Sequence, residues 1–155
     1  MDVTLYQPDI AQNLGAIMRS CACFDVALSV IEPCGFPLTA RGIRKAAMDY
    51  GAPDALTRHQ NWEAFQNRGE SAGKNRGRTV LFTTKGATPL PDFKFQANDT
   101  LLFGRESAGV PDHVHTAADA RVVIPIAAGA RSFNLSNSVA IALFEALRQT
   151  GALPA

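Results

Sequence analysis

No stretch of this sequence approaches the roughly 18 uninterrupted apolar residues that a bilayer-spanning helix requires. The opening MDVTLYQPDI has neither a basic start nor a long apolar run, so no secretory leader is expected. Cysteine is scarce: Cys21, Cys23 and Cys34 make three, an odd number that does not read as a disulfide framework. Reduced thiols and a cytoplasmic location are the expectation. An excess of charge of one sign is missing too. Lys and Arg number 15 against 14 Asp and Glu, a net charge of +1, so any surface for a polyanion must be a local patch. No internal repeat occurs at solenoid periods.

Several chemistries lack their signatures. Gly104 and Gly109 have the spacing of a phosphate-binding loop, but Val110-Pro111 follows where a lysine and a hydroxyl residue are needed. No G-x-G-x-x-G follows the first strand pattern, which removes an ordinary dinucleotide fingerprint. Ser132 has no G-x-S-x-G around it. Cys21-Ala22-Cys23 and His113-Val114-His115 each lack a second pair at finger-like spacing, so no metal is expected.

What is present is a chain of 155 residues, 46% hydrophobic and 19% charged, long enough for one domain over 1–155 with a real core. Asp2 to Tyr6 reads as a short strand closed by Pro8. In Gln12 to Phe24, Leu14, Ile17, Met18, Cys21 and Phe24 recur at helical steps. Val26 to Ile31 is a nearly continuous apolar run, as in a buried parallel strand. Thr39 can cap a helix from Ala40 to Met48, broken by Asp49 to Pro53. Asn61 to Phe65 reads as a short helix. Thr79 to Thr83, Thr100 to Phe103 and Arg121 to Ile126 read as strands, with a short helix or turn over Ala108 to His115. This alternation predicts an α/β fold, a mostly parallel sheet with helices on both faces.

The richest stretch is Ile124 to Gln149. A strand end leads into a loop carrying Ser132, Asn134, Ser136, Asn137 and Ser138, and then into a helix from Asn137 to Gln149. On that helix Val139, Ala140, Leu143, Phe144 and Leu147 share a stripe, and Gly151 stands at its end. Two readings are open: a ligand loop at a strand edge, or ordinary helix capping by Ser and Asn. Gly104, directly after an apolar strand, lets backbone approach a flat ligand closely, with Glu106 at the same edge. Arg41, Arg44 and Lys45 share one helix face, either solvated or set against a polyanion. Arg68 to Arg78 forms a basic loop, either a connector or a phosphate-tracking segment.

Three blocks are shared with a known family. Asn13-Leu14-Gly15 through Arg19 to Phe24, Leu101 to Pro111 (LLFGRESAGVP), and Ile124-Pro125 with Ser132 to Ser138 resemble the three signature motifs of the SpoU class of SPOUT RNA 2'-O-ribose methyltransferases. Ile31 to Tyr50, Thr57 to Phe65 and Phe82 to Gly86 resemble the minimal members of that class. The resemblance implies S-adenosylmethionine as methyl donor, a homodimer, and a trefoil knot in the C-terminal part. The substrate it implies is the wobble nucleotide, cytidine or modified uridine, of leucine tRNAs; another tRNA position or rRNA is the alternative. Carried over by position, Arg19 acts on the target 2'-hydroxyl, and Asn13, Glu106 and Asn134 organise it. Phe82, Gly104, Gly109, Ile124 and Ser132 line the cofactor cleft. Ser132 also meets substrate phosphate, and Arg41, Arg44 and Lys45 are the tRNA face. The sequence departs from the common pattern at Gly104 to Ser107 (Gly-Arg-Glu-Ser for Gly-Pro-Glu-Thr). It departs again at Phe144 and Leu147, where tyrosine and tryptophan are common.

Overall fold

The structure, a computed structural model, describes residues 1–47, 56–68, 77–85 and 88–155. Among these, seven strands form one sheet in the order β3-β2-β1-β6-β4-β7-β5. They are β1 (Asp2–Tyr6), β2 (Ala27–Ile31), β3 (Leu56–His59), β4 (Thr79–Phe82), β5 (Thr88–Pro89), β6 (Thr100–Phe103) and β7 (Ala120–Val123). Every pairing between them is parallel. The helices are α1 (Ala11–Cys23), α2 (Ala40–Ala47), α3 (Trp62–Gln66), α4 (Asp112–Ala117) and α5 (Leu135–Thr150). No helix of the described residues is long and apolar enough to cross a membrane.

The central strands are buried on both faces, which is why they read as continuous apolar runs rather than alternating ones. Val3, Leu5, Val80, Leu101 and Phe103 join a cluster with Leu14, Ile17 and Cys21 of α1 and Val139, Leu143 and Leu147 of α5. Tyr6, Leu81 and Leu102 point the other way, onto Phe65 of α3 and Val114 of α4. Burial pushes the Cys21 thiol up to about 12, consistent with an inert core residue.

The expected helix and strand segments are present with ends shifted by a few residues. Two strands escape the sequence pattern for a physical reason. In β3 only Leu56 is buried, so there is no apolar run to read. β5 is two exposed residues at the sheet edge, where Pro89 costs no ladder bond. The short helix falls at the later end of its window, on Asp112–Ala117, because Arg105 to Gly109 is occupied by a tight turn. Thr39 caps α2, its Oγ1 accepting from the Gly42 N–H at 3.0 Å. The expected break at Asp49 to Pro53 and the end of its helix at Met48 lie outside the described residues, as does most of the basic loop.

On α5 the expected stripe is corrected at one position. Val139, Leu143 and Leu147 are buried, but Phe144 is 49% exposed and meets Phe24 at 6.5 Å between ring centres. The buried face continues through Ala142 and Ala146 instead, leaving Ile141 and Phe144 outward.

Order in the sheet is not order in the chain. β6 is inserted between β1 and β4, and β7 between β4 and β5. The carboxyl ends of β4, β6 and β7 therefore lie side by side, where open parallel sheets form their crevices. Leu101, fully buried in β6, tests how far this centre carries the fold. Leu101→Ala is expected to cost about 2–5 kcal/mol, read as a lower urea midpoint with an unchanged slope.

Candidate active site

A cavity of about 450 Å³ opens at those strand ends. Its size suits a small-molecule ligand. Leu81, Phe82 and the following Thr83 to Lys85 come from β4, Phe103 to Glu106 from β6, and Ile124 and Ile126 from the segment after β7. Ser132, Asn134, Leu135 and Ser138 enclose it from the start of α5, and Asn13 reaches it from α1. All the cofactor-cleft candidates line it: Phe82, Gly104, Gly109, Ile124 and Ser132. Phe82 stacks on Phe103 at 4.7 Å and 8°, so the apolar floor is a rigid ring pair.

The loop after β6 is shaped by its two glycines. Arg105 and Gly109 exchange both backbone hydrogen bonds at 2.9 Å, closing a tight turn. A Cβ on Gly104 would lie 2.5 Å from the Gly109 carbonyl carbon, so the two backbones can meet only without one. Gly109 itself has φ +67°, a conformation other residues rarely adopt.

Glu106 projects from this turn into a chain of hydrogen bonds. The Asn13 Nδ2 donates to Glu106 Oε1 at 2.9 Å, and the Asp9 N–H donates to Glu106 Oε2 at 2.7 Å. Asn134 Nδ2 donates in turn to Asn13 Oδ1 at 2.9 Å. Asn134 Oδ1 accepts from the backbone N–H of Ser136 at 2.9 Å and from its hydroxyl at 2.6 Å, which caps α5. The capping reading of the α5 loop holds, and the same capping side chain also joins the cluster that borders the cavity.

Asn13, Glu106 and Asn134 are thus brought together, whereas Arg19 is not among the residues lining the cavity. Asn13 lies on the buried face of α1, while Gln12, Ala16, Arg19 and Cys23 form its exposed stripe. Arg41, Arg44 and Lys45 are all exposed on α2. Sequence reasoning missed Asp9 and His115. Asp9 carries no motif signal of its own. In the sequence His115 reads only as half of a metal pair; in the structure it lines the cavity, and its Nε2 is buried without a hydrogen-bond partner among the described residues. The flat aromatic floor and the glycine-lined edge fit a flat ligand.

The family model described as the SpoU rRNA Methylase family matches residues 1–144. A tRNA (cytidine(34)-2'-O)-methyltransferase of Beijerinckia indica is 50% identical over 151 residues, covering 97% of this chain and 92% of that protein. A solved structure concerned with 2-OH methylation of C/U34 on tRNA superposes with a TM-score of 0.84 at 35% identity, covering 96% of this chain and 94% of the other. The SpoU methyltransferase AviRb of Streptomyces viridochromogenes, in complex with AdoMet, superposes at 0.83 with 25% identity, over 96% of this chain and 57% of its own. Side chains separated by 93 and 121 positions along the chain meet in one hydrogen-bonded cluster beside a glycine-edged cleft, and with a match running almost from end to end the chain belongs to the SpoU methylase family.

Proposed function

We propose that this chain, as one domain over its whole length, is a cytoplasmic tRNA 2'-O-methyltransferase that uses S-adenosylmethionine and acts on the wobble cytidine or modified uridine, in leucine isoacceptors. One observation carries the reading: the Asn134–Asn13–Glu106 chain sits on the wall of the cleft that all the cofactor candidates line.

When bound, S-adenosylmethionine supplies a methyl group on a cationic sulfur whose departure leaves a neutral thioether. The protein's own task is then alignment and handling of a hydroxyl proton. Phe82, Phe103 and Ile124 offer flat apolar surface, and the Gly104 and Gly109 backbones offer close approach. Glu106 fixes Asn13, and Asn13 fixes Asn134, so neither amide can turn away without breaking a bond to its neighbour. A guanidinium donates hydrogen bonds and accepts none. Arg19 therefore orients the ribose hydroxyl and stabilises negative charge growing on its oxygen.

Arg19 stands on the exposed stripe of α1, away from its own cleft lining, so the site is completed by a second copy. In this homodimer one protomer's Arg19 serves its partner's cleft. The outward Phe144 and Ile141 of α5 supply apolar area for the contact. The exposed cations of α2 bind tRNA phosphates, with Ser132 meeting phosphate at the cleft.

Labelled cofactor with bulk tRNA lacking its own 2'-O-methyl marks is expected to place label on one wobble nucleotide, found by nuclease mapping. Label at another position or in rRNA only would move the substrate assignment. Arg19→Ala should reduce methylation by at least about 10²-fold while cofactor affinity stays within a few fold; a collapse of cofactor binding would assign Arg19 to the pocket instead. Replacing Arg41, Arg44 and Lys45 together by alanine should weaken tRNA binding and lower the log–log salt slope by about 2. Unchanged affinity would return that face to solvent. Sedimentation should give twice the chain mass, and a fully active monomer would overturn the shared site.

A further inference from the structure

The wall of the cleft places a cation next to an anion. Arg105 and Glu106 both line it, on adjacent positions of the same turn. Among the described residues the donors to Glu106 are neutral, the Asn13 amide and the Asp9 N–H. The guanidinium of Arg105 is drawn elsewhere. Its Nη2 and Nε donate to Asp9 Oδ1 at 2.9 and 3.3 Å, and its Nη1 reaches Gln7 Oε1 at 3.5 Å. The other oxygen, Asp9 Oδ2, accepts from the Ser107 hydroxyl at 2.6 Å and the Ser107 N–H at 3.1 Å. Asp9 is not among the residues lining the cavity, whereas its partner Arg105 is, and the pair remains partly open to solvent.

The placement of Asp9 is imposed from two directions. Its backbone is tied to Glu106, and a Cβ on Gly35 would lie 2.9 Å from the Asp9 Cα, so the loop after β2 packs directly upon it. The Ser107 hydroxyl bond, and then the Arg105 bonds, hold the Asp9 carboxyl below the usual carboxylate range.

We propose that Asp9 is a positioning residue that pairs with Arg105 and neutralises it, leaving Glu106 as a wall carboxylate that shares its hydrogen bonds with no cation, so that the cleft favours a cationic methyl donor over its neutral product. This rests on the functional reading above. With Asp9 in place, the Asp9 and Arg105 charges cancel and Glu106 attracts positive charge. Without the Asp9 charge, Arg105 cancels Glu106 and that attraction is lost. Lys85, exposed on the rim, and His115 are the other charged or titratable groups of the lining, and neither is changed by the substitution.

Calorimetry at low salt on the full chain tests this, with S-adenosylmethionine and S-adenosylhomocysteine as the two probes. They differ by the sulfur-bound methyl group and the positive charge that comes with it, and comparing variants at a constant pair of ligands isolates the effect of charge. Asp9→Asn should raise the ratio of the two dissociation constants, cationic over neutral, by about three- to tenfold. Arg105→Gln should move the ratio in the opposite direction, and the double variant should return it close to the wild-type value. Should Asp9→Asn fail to fold, Arg105→Gln decides alone. Equal weakening of both ligands, an unchanged ratio, or no return in the double variant would overturn the proposal. Wild-type protein that binds neither ligand would instead overturn the functional reading on which it rests.

Discussion

A single carboxylate ties this molecule together at its working edge. Glu106 accepts from the backbone that precedes α1 and from the first turn of α1 itself, and through Asn13 it reaches the cap of α5. Three pieces of chain that are remote in sequence are thereby fixed to one another at the mouth of one cavity. Bonds to an ionised acceptor are stronger than neutral ones, and partial burial strengthens them further. The cluster is therefore a rigid frame on which a ligand can be aligned, and not merely a lining.

That frame exists because of how the sheet is assembled. β6 and β7 enter between strands laid down earlier in the chain, so the loops that follow them emerge beside the loop of β4. The two faces of the sheet are covered by different helices: α1 and α5 on one, α3 and α4 on the other. α1 and α5 pack against the same apolar cluster, and this brings the Asn13 and Asn134 amides within hydrogen-bonding distance. The conformational requirement at Gly104 and Gly109 then brings the turn close enough for Glu106 to meet both.

Charge in the molecule is organised locally rather than in bulk. The net charge of +1 conceals a cationic face on α2 and a paired Asp9–Arg105 unit at the cleft wall. The outward side of α5 exposes Ile141 and Phe144, and α1 has an exposed stripe that carries Arg19. In the proposed dimer two copies would offer a large polyanion twice the cationic area of one, which links the proposed assembly to the proposed chemistry.

The α/β class and the central strands were legible from local signals, and so was the close backbone approach at Gly104; the other cleft residues came from the motif resemblance. Apolar runs mark strands buried on both faces, three- and four-residue steps mark α1 and α5, and a glycine after a strand marks close backbone approach. Motif resemblance placed Asn13, Glu106 and Asn134 as well, though not which atom meets which. Only the tertiary structure decided the strand order, the existence of β3 and β5, and the outward turn of Phe144, since these depend on what packs beside an element and not on its own pattern. It alone placed Asp9 against Arg105 and put Arg19 on the exposed stripe of α1 while Asn13 lies on its buried face. An ion pair spanning 96 positions has no local signature, because the distance that matters is through space and the chain between its partners carries no record of it.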